Sequence, residues 1–119
     1  MLKKINFILP VFNQEKEIKK NLVHLRKKLK YLDLNYRLIL IDDKSTDNTL
    51  KILKKLKNKK TLVMSNKKNM GKGYSIKKAL RKIDKKCYVI LWDSDLPYFD
   101  RINLVINALV KKKYHFVSI

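Results

Sequence analysis

Five short, nearly unbroken apolar runs lie at residues 5–10, 38–41, 61–65, 88–92 and 115–119, and the stretches between them repeat their apolar positions every three or four residues. Each run is partly β-branched or aromatic and does not alternate with polar residues. That pattern suits strands buried on both faces, as in a parallel sheet covered by helices. Ile18, Leu22, Leu25, Leu29 and Leu32, with Lys and Arg between them, predict one amphipathic helix from about residue 14 to 32. Leu50, Leu53 and Leu56 mark a second helix, with Asp47 placed to cap it. A third helix carries Ile76, Ala79, Leu80 and Ile83, and a fourth Ile102, Leu104, Val105, Ala108 and Leu109. The alternation β-α-β-α-β-α-β-α-β predicts an α/β domain with a doubly wound, mostly parallel sheet and helices on both faces. Residues 1–119 read as a single domain. The chain ends inside the fifth run with nothing to pack its far side, so the domain is expected to be either a minimal one or the front part of a longer one.

No stretch reaches the ~18–20 apolar residues of a membrane-spanning helix. The start, residues 1–12, faintly imitates a signal peptide but meets Asn13-Gln14-Glu15 without a small-residue cleavage site, so it reads as a strand. The single cysteine, Cys87, excludes an intrachain disulfide and a multi-thiolate metal site, and its apolar setting suggests a small buried thiol. Neither His24 nor His115 has a partner at metal-ligand spacing, and both read as structural or exposed. Together these features point to a cytoplasmic protein.

Thirty basic residues against ten acidic ones give a net charge of +20. This invites a basic nucleic-acid- or anionic-surface-binding module without catalysis. The basic residues are 26 Lys and only 4 Arg, accompanied by 12 Ile and 10 Asn, which looks like a compositional bias rather than a recognition patch. No nucleic-acid partner is expected.

The few acids are more telling. Asp42 and Asp43 follow directly on one apolar run and Asp93 and Asp95 on another, with Asp47 a turn beyond the first pair. Ligands of open α/β sheets bind outside the carboxyl ends of the strands, where strand order switches. Both clusters would open onto one crevice if the first strand lies between the second and fourth. Asp93-Ser94-Asp95 can turn two carboxylates toward one hard cation, Mg²⁺ or Mn²⁺, or can cap the following helix. Of Asp42 and Asp43, neighbours on an extended segment, one is expected to face a ligand and the other to anchor its loop. Asn69-Met70-Gly71-Lys72-Gly73 holds both glycines and opens a helix; it serves as a close-approach loop or a plain strand-to-helix turn, and it lacks P-loop spacing.

Four segments, 8–15, 41–49, 69–73 and 91–96, resemble in order and separation those of glycosyltransferase family 2, and the resemblance covers essentially the whole chain. Its closest flavour is that of polyprenyl- or dolichyl-phosphate sugar transferases. The resemblance implies a Rossmann-like GT-A nucleotide-sugar-binding half. Pro10, Phe12, Gln14, Ile41, Asp43, Lys72 and Asp93 would then contact the nucleotide, and Asp93 and Asp95 would hold Mg²⁺ or Mn²⁺. It further implies inverting transfer of a sugar from a UDP- or GDP-sugar donor to a lipid-phosphate or glycan acceptor, peripheral association with the cytoplasmic face of a membrane, and inactivity if the chain is truncated. No catalytic base is assigned. The chain departs from the family pattern at Phe12 (commonly Tyr), Gln14 (commonly an acid), Lys44 (commonly Gly) and Pro97 (often polar in the polyprenyl-phosphate enzymes).

Overall fold

The structure, a computed structural model, describes residues 4–84 and 86–110. Within them run β1 (Ile5–Val11), α1 (Ile18–Tyr31), β2 (Tyr36–Asp42), α2 (Thr49–Leu56), β3 (Thr61–Ser65), α3 (Lys72–Leu80), β4 (Tyr88–Leu91), a 3-10 turn (Phe99–Arg101) and α4 (Ile102–Val110). The fifth predicted strand and His115 lie outside the described residues. The four strands form one all-parallel sheet in the order β3-β2-β1-β4, with Pro10 beside Ile41 and Ile8 beside Leu91.

Successive side chains of a strand point to opposite faces, and here both faces are covered. Ile5, Phe7, Leu9 and Val11 of β1, with Leu38 and Leu40 of β2, join the larger core against Ile18, Leu22, Leu25 and Leu29 of α1, Leu53 of α2 and the apolar side of α4. Ile8, Ile39 and Ile41 face the other way, onto Ala79 of α3, with Leu62, Met64 and Ile76 around them. This two-sided burial is why the runs are continuous rather than alternating.

Several boundaries differ from the sequence reading; α3, for one, ends at Leu80, short of Ile83. α1 begins at Ile18 rather than near residue 14, because Gln14 O accepts the N–H groups of Glu17 and Ile18 in a turn. The N–H groups of Gln14 and Glu15 are meanwhile drawn to Thr49 Oγ1 and Asp47 Oδ2. Cys87 is half-buried in the turn before β4, its thiol donating to Asp84 O, and so stands outside the core. Among the described residues, no helix is long and apolar enough to cross a membrane.

Candidate functional site

Because β1 separates β2 from β4, the loops leaving these three strands meet at one end of the sheet. The loops after β1 and β2 are bound together first. Asn13, in a left-handed conformation (φ 48°), donates its N–H to Ser45 Oγ (2.9 Å), and its side-chain oxygen accepts the N–H of Thr46 (2.8 Å). Asp47 Oδ1 accepts the Thr49 N–H (2.9 Å), and Glu15 Oε2 accepts the Asn48 N–H (3.1 Å), so side chains of both loops cap the start of α2. Burial pushes the Asp47 carboxyl up, but the bonds from Thr49 and Glu15 outweigh it and hold the group below its ordinary value.

Asp42 and Asp43 divide as neighbours on an extended segment should. Asp42 takes the Ser45 N–H (3.1 Å) and hydroxyl (2.5 Å), closing its own loop. That turn places Lys44 at φ 58°, a left-handed conformation that suits the glycine common there in the family resembled. Asp43 reaches the loop after β3. Its Oδ1 accepts from Asn66 Nδ2 (2.8 Å) and Met70 N (2.8 Å), and its Oδ2 from Gly71 N (2.9 Å). Burial raises the Asp43 pKa, but these three bonds prevail and the net direction is down. Asp43 therefore lines the cleft and also fixes the backbone from which α3 starts. Asn66, buried behind it, also donates to Ser75 Oγ (2.9 Å).

After β4 the chain turns, the Leu96 N–H donating to Asp93 O (2.9 Å), with Trp92, Ser94 and Leu96 buried and Asp93 and Asp95 exposed. Trp92 packs between Phe7 and Phe99, and its indole N–H donates to Pro97 O (2.9 Å). Ser94 donates its hydroxyl to Gln14 Oε1 (2.7 Å), and its carbonyl accepts from Asn21 Nδ2 (3.1 Å). The turn closes with Leu96 at φ 54°, a strained conformation for a buried apolar residue. Across the cleft, Lys72, the first residue of α3, forms an ion pair with Asp93 Oδ1.

The resulting cleft, about 410 Å³, is lined by Pro10, Val11, Phe12, Gln14, Asp43, Asn69, Lys72, Asp93, Ser94 and Asp95. Of the residues singled out from sequence, only Ile41 stays away. Its side chain is fully buried among Ile8, Ile39 and Ala79 and supports β2 rather than lining the cleft. Asn66, Asn69 and Ser94 were missed as site residues, although Asn66 follows β3 directly, the position that drew attention to Asp43 and Asp93.

Asp93 and Asp95 offer exposed hard oxygen donors two residues apart in a turn, the donor type that suits Mg²⁺ or Mn²⁺. No group of three or more His, Cys, Asp or Glu residues that could hold a metal is found among the described residues. The pair suits an ion that takes its remaining ligands from a phosphate-bearing substrate and water rather than from a full protein cage.

The family model described as glycosyl transferase family 2 matches residues 6–118. The chain is 37% identical over 57 residues to the undecaprenyl-phosphate 4-deoxy-4-formamido-L-arabinose transferase of Proteus mirabilis, covering 48% of this chain and 18% of that protein. It is 35% identical over 94 residues to an uncharacterized protein of Methanocaldococcus jannaschii, covering 74% and 38%. Among solved structures, a Pyrobaculum calidifontis mannosyltransferase in complex with GDP-Man and Mn²⁺ superposes with a TM-score of 0.74 at 19% identity, over 92% of this chain and 33% of that one. Staphylococcus aureus TarS in complex with UDP-GlcNAc gives 0.66 at 28% identity, over 87% and 31%. The chain thus spans less than two-fifths of the length of each of these relatives.

Proposed function

The chain belongs to glycosyl transferase family 2, and from that premise we propose that the cleft is the donor site of a transferase moving a sugar from a nucleoside diphosphate to an acceptor, with inversion at the anomeric carbon. The observation that carries this reading is one cleft lined together by an exposed aromatic residue, a hydrogen-bonded carboxylate and a carboxylate pair beside a lysine. Pro10 and the half-exposed Phe12 ring offer an apolar side for a base. Asp43 keeps acceptor capacity beyond its three bonds for a base imide or ribose hydroxyl. Lys72 and the Asp93–Asp95 pair would receive the diphosphate, the pair through Mg²⁺ or Mn²⁺. A divalent ion there would neutralise charge developing on the departing diphosphate.

The complexes of the two structural relatives point to GDP- or UDP-sugars as donors. The Proteus relative's name favours a lipid phosphate over a glycan as acceptor; such an oxygen is already ionised and needs no base for attack. A lipid acceptor also fits peripheral association at the cytoplasmic face of a membrane, with Lys16, Lys19, Lys20 and Lys27 around the outer side of α1 turned toward anionic headgroups.

Calorimetry with UDP and GDP tests the site. Binding is expected with Mn²⁺ or Mg²⁺ and is expected to be lost in chelator and in Asp93→Asn or Asp95→Asn. Equal nucleotide affinity with chelator present would refute the metal assignment.

A further inference from the structure

We infer that Lys72, through its ion pair with Asp93, competes with a cation for that carboxylate and thereby makes the site select a metal–nucleotide complex over the free metal ion. The inference rests on the donor-site reading above and adds a discriminating role for Lys72.

Lys72 is delivered from a fixed point. The N–H of the preceding Gly71 is held by Asp43 Oδ2, and Gly71 takes φ 91°, so the start of α3 is anchored while the four-carbon side chain stays free to swing. Its ammonium engages one carboxylate of the pair, Asp93, while Ser94 between the two aspartates points inward to Gln14. Lys72 and Asp93 remain 58% and 51% exposed, so their pairing is weak and readily exchanged.

The consequence follows from formal charge. Asp93 and Asp95 alone present two negative charges, matched to a dication; with Lys72 against them the sum is one. The ammonium therefore opposes a bare dication. A diphosphate reverses the balance, because it is repelled by Asp43, Asp93 and Asp95 but attracted by Lys72. Once Asp93 is shared with a metal ion, the released ammonium has a phosphate oxygen to meet. The same side chain thus opposes one ligand alone and favours the two together.

This predicts effects of opposite sign in a single variant. Free Mn²⁺ binding is read by electron paramagnetic resonance without nucleotide, and UDP and GDP binding by calorimetry at saturating Mn²⁺. Lys72→Met is expected to bind free Mn²⁺ about two- to fivefold more tightly, the range spanned by an exposed ion pair, and the nucleotide roughly tenfold more weakly. Lys54→Met, on the exposed side of α2, lowers the net charge equally and is expected to change neither. Unchanged or weaker Mn²⁺ binding by Lys72→Met, or an equal gain in Lys54→Met, overturns the inference alone, provided that the parent chain binds Mn²⁺ and nucleotide. A parent chain that binds neither overturns the donor-site reading, and this inference with it.

Discussion

Asp43→Asn removes a charge while leaving the side-chain shape almost unchanged, which makes it a sharp test of what fixes the loop between β3 and α3. In the parent, three N–H groups converge on the carboxylate, two on Oδ1 and one on Oδ2. The amide oxygen of asparagine can still accept from Asn66 and Met70, but without charge assistance, at a cost of about 0.5–1 kcal/mol each. On the other side an NH₂ replaces Oδ2 and meets the Gly71 N–H donor to donor, stranding a part-buried group at about 1–3 kcal/mol. The total is about 2–5 kcal/mol, a large share of the roughly 5–15 kcal/mol that holds a domain together. Urea unfolding followed by far-UV circular dichroism measures it. The pH dependence is the stricter check. The folded-state Asp43 carboxyl titrates below its ordinary value of 3.8, so its ionised form contributes stability above that value and loses it as pH falls through the lower folded value. The gap between parent and variant is therefore full at pH 7 and narrows below about pH 4. A gap under 0.5 kcal/mol at pH 7, or one unchanged down to pH 3, would refute the reasoning, 0.5 kcal/mol being about the scatter of ordinary surface substitutions.

Four further outcomes are expected. Phe12→Ala should weaken nucleotide binding by roughly 1–3 kcal/mol if a base stacks on the ring, whereas Ile41→Val should cost about 0.5–1.5 kcal/mol of stability and leave calorimetric nucleotide affinity unchanged. Lys44→Gly should raise stability to urea by roughly 0.5–1 kcal/mol, since the left-handed backbone penalty outweighs the extra freedom of glycine in the unfolded chain; a loss of stability would contradict the turn geometry. Replacing Lys19, Lys20 and Lys27 together with Gln should reduce sedimentation with anionic vesicles more than the same change at Lys54, Lys55 and Lys77, and equal losses would leave only non-specific charge.

The parallel α/β sheet could be read from the chain because continuous apolar runs mark two-sided burial, and acids are scarce enough for their placement after β2 and β4 to stand out; that Asp43 meets Asp93 and Asp95 depended on β1 lying between those strands, a condition that only the strand order supplies. The start of α1 could not be read, since it depends on Asp47 and Thr49, more than thirty residues away, taking the N–H groups of Glu15 and Gln14. Ile41 packs on the α3 side because alternation from Asp42 back through Leu40 turns its side chain away from the larger core. Asn66 escaped notice because a neutral amide draws less attention than a carboxylate, although its two donors tie Asp43 to Ser75. The Lys72–Asp93 pair joins residues twenty-one positions apart, and no local pattern announces it.

The chain contains a single tryptophan, Trp92, and it lies directly before the carboxylate pair, its ring between Phe7 and Phe99 and its indole tied to Pro97 O. Any shift of the 93–96 turn pulls on that tie and alters the polarity around the ring. The protein therefore carries its own optical reporter: emission wavelength and quenching at one site would register occupancy of the cleft without a label, a coupled enzyme or knowledge of the acceptor.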